Sequence, residues 1–142
     1  MTKTSMTLLA VACAFALAAC GKQEEHAASE AHASSSAGLP QGNAEAGKAL
    51  AAKKGSTGQA CVDCHGAEGN APIDASYPKL GGQYADYIEH SLQAYRSGDR
   101  GGSPTTDLMA SQAKELSDQQ IADLAAYFAT ASSQLRDLHG AD

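Results

Sequence analysis

The chain has no tryptophan, and its 142 residues include only two phenylalanines and five tyrosines. A small domain with so few large rings cannot fill a wide core from its own side chains, so something else must occupy its centre. No run alternates β-branched and polar residues over several positions, which excludes a sheet and leaves an all-α fold. The apolar stretch at residues 8–17 is too short to span a bilayer as a helix. Acidic residues outnumber basic ones by 16 to 10, and the charges are scattered rather than blocked. That balance argues against nucleic acid as a partner. Cysteine is scarce as well: four in all, at positions 13, 20, 61 and 64.

Residues 1–19 have the build of a secretory signal, with a positive start at Lys3, the apolar stretch, and small residues at Ala18 and Ala19. The chain is therefore expected to be exported to the periplasm. The signal ends in "LAAC" before Gly21, which resembles the lipobox of bacterial lipoproteins. That resemblance implies acylation of Cys20 and attachment to a membrane, because two acyl signals anchor stably where one does not. The alternative is plain cleavage, with Cys20 incidental. Residues 20–42 are rich in Ala, Ser, Glu and Gln and poor in large apolar side chains, and read as a flexible tether in which His26 and His32 are solvated.

Residues 43–135 then form the folded domain, with a short tail at 136–142. Asn43 is a good N-cap for a helix from Ala44 to about Lys54, with Gly47, Leu50, Ala51 and Lys54 on one face. The small Gly47 would let another helix come close. A second helix, about Gln83 to Ser97, places Tyr84, Ile88, Leu92 and Tyr95 in one stripe before Gly98. A third opens on the capping box Ser117-x-x-Gln120 and spaces Ile121, Leu124, Ala125 and Phe128 at helical intervals.

With Cys13 in the signal and Cys20 at the lipobox, only Cys61 and Cys64 are left for chemistry, and they stand in "CVDCH". A redox dithiol of the thioredoxin kind needs a preceding strand, and none is predicted. A structural zinc site needs four ligands, whereas Cys61, Cys64 and His65 supply three at the wrong spacing. Covalent haem attachment uses all of them: both thiols add to the porphyrin vinyl groups, and His65 ligates the iron. The cofactor expected is one haem c.

The opposite face of the iron needs its own ligand. Met1 and Met6 belong to the signal, so Met109 is the only thioether of the mature chain. Its rival His90 falls nearly opposite Ile88 and Leu92 on its helix and should face solvent. Met109 is accordingly read as the distal ligand, in a loop from Gly101 to Leu116 between the second and third helices.

From about Asn43 to Ala131 the sequence resembles class I c-type cytochromes, especially short bacterial periplasmic ones and single halves of their two-haem relatives. The matching stretches are "CVDCHG", "YPKLGGQYADYI", "LQAYRSGDRGG", "LMASQA" and "LSDQQIADLAAYFA". The resemblance implies that the first and last helices cross near Gly47 and Leu124, and that the carbonyl of Pro78 accepts a hydrogen bond from His65. It also implies a basic side chain steered toward a haem propionate, for which Arg96 is the candidate; a plain surface arginine is the other reading. Two departures stand out. "KKGSTGQA", residues 53–60, intervenes before the haem motif as a surface insertion, and Ala51 replaces a common aromatic, implying a looser crossing.

The function implied is lipid-tethered periplasmic electron transfer. The donor would be a quinol-oxidising complex or a periplasmic dehydrogenase, and the acceptor a terminal oxidase or reductase. A haem enzyme or gas sensor with a labile Met109, needing a distal His or Arg, is the first alternative. A fixed cytochrome subunit of a larger oxidoreductase is the second.

Overall fold

A computed structural model describes residues 35–135. The signal, Cys20, His26, His32 and the tail at 136–142 lie outside those residues. Among the described residues five helices follow one another: α1 (Ala44–Ala51), α2 (Cys61–His65), α3 (Ala85–Ser97), α4 (Pro104–Ala113) and α5 (Asp118–Thr130), with a 3₁₀ turn at Ala67–Gly69. Among the described residues there is no strand, as the sequence predicts.

Three expected starts and stops rest on visible chemistry. Asn43 Oδ1 accepts the Ala46 amide at 2.9 Å and starts α1. Ser117 Oγ accepts the Gln120 amide while Gln120 Oε1 accepts the Ser117 amide at 2.9 Å, completing the capping box of α5. Gly98 closes α3 in the left-handed region.

α1 and α5 cross where the family resemblance implies, but not loosely. A Cβ built on Gly47 would lie 1.9 Å from the Asp123 carbonyl oxygen, so only glycine allows the two backbones to approach this closely. Ala51 is wholly buried, its small size giving a tight crossing rather than a slack one. The buried Asp123 carboxylate ties the same corner by accepting the Asn43 amide at 2.8 Å. Ile121, Leu124, Ala125 and Phe128 line up as predicted and build the core with Ile88 and Leu92 of α3.

Four further sequence expectations are corrected. α1 ends at Ala51, not near Lys54, because its last turn tightens and Lys53 N–H bonds to Leu50 O at 3.0 Å. Tyr84 leaves the predicted stripe: it precedes the first turn of α3 in extended geometry and is 83% exposed. The stretch holding Met109 is a helix and not a loop, opened by Ser103 and Pro104. Finally, residues 35–42 do not all behave as a free tether. Leu39 is buried in the core, Gln93 Nε2 bonds to the Ala37 carbonyl at 3.1 Å, and Ser35 Oγ bonds to the buried Glu89 carboxylate. One leucine, one backbone acceptor and two serine hydroxyls suffice to dock the segment.

Candidate functional site

α2 consists of the motif itself. The Ala60 amide bonds to Asp63 Oδ2 at 2.9 Å, which fixes the first turn and sets Cys61, Cys64 and His65 on one short helix. The chain then reverses at Gly66, whose φ of 78° suits glycine alone; a Cβ there would meet the Ala71 carbonyl at 2.1 Å. The reversal brings the Ile73 amide onto Cys64 O at 3.1 Å and carries Pro78 back beside His65.

His65 is buried, and its Nδ1 lies 2.9 Å from the Pro78 carbonyl oxygen. A carbonyl only accepts, so Nδ1 carries the proton and Nε2 keeps its lone pair. The Tyr77 ring stands edge-on to the imidazole at 6.0 Å and holds it from the side. Burial lowers the pKa of His65, and the Pro78 bond opposes that only in part. The ring is thus neutral and oriented, as a metal ligand must be.

Cys61 and Cys64 form no disulfide with each other. Burial raises the pKa of Cys61, with the Cys64 and Asp63 charges adding to it and a backbone hydrogen bond opposing. A reactive dithiol needs a lowered thiol pKa, so this environment disfavours the redox reading. Zinc fares no better: among the described residues, no group of three or more His, Cys, Asp or Glu side chains is gathered to hold a metal.

Cys61, Cys64 and His65 open onto a cavity of about 440 Å³, and Met109 of α4, half-buried, lines it too. Leu80, Ile88, Leu92, Leu124 and Phe128 supply apolar wall. This is the central space that the chain's few aromatic residues leave unfilled. A large flat apolar group with two thiol-reactive edges and a metal wanting a neutral imidazole fits the donors and the walls.

The two other titratable candidates part company with the cavity. His90 is exposed, with Nε2 2.9 Å from Ser36 Oγ, as its helix position predicts. Arg96 does not reach the cavity. Its guanidinium donates to Leu116 O at 2.9 Å and pairs with Asp118 at 2.7 Å, where α4 runs into α5. The guanidinium in the cavity wall is that of Arg100, stacked 4.7 Å over the Tyr95 ring and bonded to Ser91 Oγ at 3.2 Å. Sequence reasoning missed Arg100. Both arginines stand in "YRSGDR", and only the turn at Gly98 decides which one points inward.

A family model described as cytochrome c matches residues 44–132. The chain belongs to the cytochrome c family. Cytochrome c-554(548) of Halomonas halodenitrificans is 50% identical over 72 residues, 49% of this chain and 82% of that one. The thiosulfate dehydrogenase electron acceptor of Stutzerimonas stutzeri is 44% identical over 69 residues, 49% of this chain but 31% of that protein. The crystal structure of reduced recombinant cytochrome c4 from Pseudomonas stutzeri superposes with a TM-score of 0.54 at 31% identity, over 66% of this chain and 53% of that one. The chain therefore spans about a third to a half of those two longer relatives. As a cytochrome c it carries one covalent haem c at Cys61 and Cys64, and electron transfer with redox proteins is its general work.

Proposed function

We propose that this cytochrome c is a one-electron carrier of the periplasm, tethered to a membrane through acyl chains on Cys20, in which His65 and Met109 ligate the haem iron from opposite faces. The observation that carries the reading is the joint placement of both thiols, an oriented neutral imidazole and the half-buried Met109 around one apolar cavity. When bound, haem c supplies a one-electron ferric/ferrous couple. The chain's own residues do the rest. Cys61 and Cys64 fix the group covalently, and Pro78 O keeps His65 Nε2 aimed at the metal. Leu80, Leu92 and Phe128 keep water from the cavity. Arg100, rather than Arg96, is placed to meet the haem's carboxylates. With His65 and Met109 both committed to holding the metal, no open site would be left for substrate, which favours a carrier over an enzyme or gas sensor. Among the described residues no helix is long and apolar enough to cross a membrane, so attachment in this reading rests on Cys20.

The partners are redox proteins. The Stutzerimonas stutzeri relative, a thiosulfate dehydrogenase electron acceptor, supports a dehydrogenase as donor, in place of a quinol-oxidising complex, with a terminal oxidase or reductase as acceptor. The test is Met109→Ala in the holoprotein. A thioether favours ferrous iron, so its loss should lower the reduction potential, abolish the weak far-red charge-transfer band of the oxidised form and admit carbon monoxide to the reduced form. A band that survives the substitution would falsify the assignment and move the enzyme or sensor reading ahead.

A further inference from the structure

The helix bearing Met109 is thinly held. α4 packs chiefly on α3, and Ala113 is its one fully buried residue. Its other support comes from a segment with no obvious task, residues 53–60, between α1 and the haem motif. That segment closes on itself, with Gly55 N–H on Gln59 O at 3.0 Å and Gly58 N–H on Gly55 O at 3.0 Å. From the closed loop two side chains reach α4 and meet there on a single residue. Thr57 Oγ1 donates to Gln112 Oε1 at 2.8 Å, and Gln112 Nε2 donates to Gln59 Oε1 at 3.1 Å. The Gln112 amide thus has its acceptor and one of its donors committed to the loop.

The position of Gln112 matters. It lies one helical turn after Met109, on the same side of α4, and both residues line the cavity, as does Gln59. Gln59 directly precedes Ala60, whose amide starts α2. The hydrogen bonds therefore join the segment that carries His65 to the helix that carries Met109, bridging two walls of the cavity.

We propose that residues 53–60 form a latch and that Gln112 is a positioning residue for Met109: Thr57 and Gln59 hold α4 against the haem and so keep the thioether on the iron. This rests on Met109 being the distal ligand. Neutral surface hydrogen bonds are individually modest, so the two together should shift an opening equilibrium by roughly tenfold. An equilibrium that exposes one ligand without unfolding the domain reads such a shift directly.

The experiment uses full-length holoprotein as wild type, Gln112→Ala, the double variant Thr57→Ala/Gln59→Ala, and all three substitutions together. Three quantities are measured: the carbon monoxide association rate of the reduced form, amide hydrogen exchange along α4 and α5, and the far-red band of the oxidised form, with Met109→Ala as its reference. The latch predicts faster association by about five- to tenfold in both Gln112→Ala and the double variant. The triple variant should gain no more, since all three changes break one contact. Exchange should quicken in α4 and stay unchanged in α5, an asymmetry that a general loss of stability would not give. If both variants bind carbon monoxide at the wild-type rate and α4 exchanges as before, while the far-red band still depends on Met109, the latch is wrong and the ligand assignment stands. If the wild type lacks the band, the ligand assignment fails and the positioning role with it. Faster α4 exchange in both variants would then show only that the loop braces the helix.

Discussion

The α1/α5 crossing and the α4 cover enclose the same haem cavity by opposite means. At the crossing, backbone rests on backbone: Gly47 leaves no room for a methyl group, and Ala51, Ile121, Ala122 and Ala125 have no exposed surface. The cover buries Ala113 alone and is held by a cap, by its packing on α3 and by polar bonds at its rim. Close-packed interiors have few ways to relax, whereas a helix with few buried contacts opens at low cost. The crossing is thus built to stay fixed, and the helix carrying Met109 is built to be adjusted. With Met109 as the proposed distal ligand, the first property would protect the haem and the second would set how firmly that ligand is held.

The comparison breaks most sharply at Gly47. Gly47→Ala places a methyl carbon 1.9 Å from a backbone oxygen, so α1 and α5 must separate or the helix must shift. Overpacking against backbone costs about 3 kcal/mol or more, and denaturant unfolding of the holoprotein should show that loss in its midpoint. A wild-type midpoint would mean the crossing is not closed backbone to backbone.

Ser103 and Ser117 sharpen it with smaller changes. Each caps a helix through its side-chain oxygen, bonded to the Thr106 amide at 3.3 Å in α4 and to the Gln120 amide at 3.2 Å in α5. Replacing either by alanine costs about 1 kcal/mol locally. In α5, part of the cooperative core, Ser117→Ala should lower global stability by most of that amount. In α4, Ser103→Ala should appear first as faster local hydrogen exchange, with the global midpoint shifted less. Equal global losses from the two variants would mean the cover and the crossing unfold as one unit.

The crossing was also the more legible region, for the same physical reason. Asn43, Ser117 and Gln120 act within their own first turns, and the apolar spacing from Ile121 to Phe128 marks a face that is then buried. The motif at Cys61, Cys64 and His65 is equally local, because its chemistry lies in adjacent residues. α4 escaped notice because its apolar residues do not make a stripe, although Ser103 followed by Pro104 was a start signal in plain view. Leu39, Arg100 and the Gln112 contacts could not be read from neighbours in sequence. Each depends on a partner brought near by the fold: α3 for Leu39, the Tyr95 ring for Arg100, and a loop more than fifty residues upstream for Gln112.

The smallest expected effect lies in the strap between the haem motif and α3, which belongs to neither region. Asp74 is fully exposed, yet its carboxylate accepts both the Ser76 hydroxyl at 2.6 Å and the Ser76 amide at 2.7 Å. The hydroxyl bond is the larger cause and the amide bond the second; together they lower the Asp74 pKa. Because the folded value is the lower one, the unfolded chain binds more protons in the window between the two. The bonds therefore add stability that is fully present above the ordinary carboxylate pKa of about 3.9 and is lost as pH falls through the folded value. Ser76→Ala removes the hydroxyl and keeps the amide, so the Asp74 pKa should rise part of the way back, as read by the carboxyl carbon in an NMR titration. Near neutral pH the far-red band and the α4 exchange rates should match wild type: Ser76 lines the cavity, but its hydroxyl is spent on Asp74 and bonds to neither His65 nor α4. An Asp74 titration identical in the two proteins would show that the Ser76 hydroxyl is not bonded to it in solution, and a changed band would tie the strap to the cover.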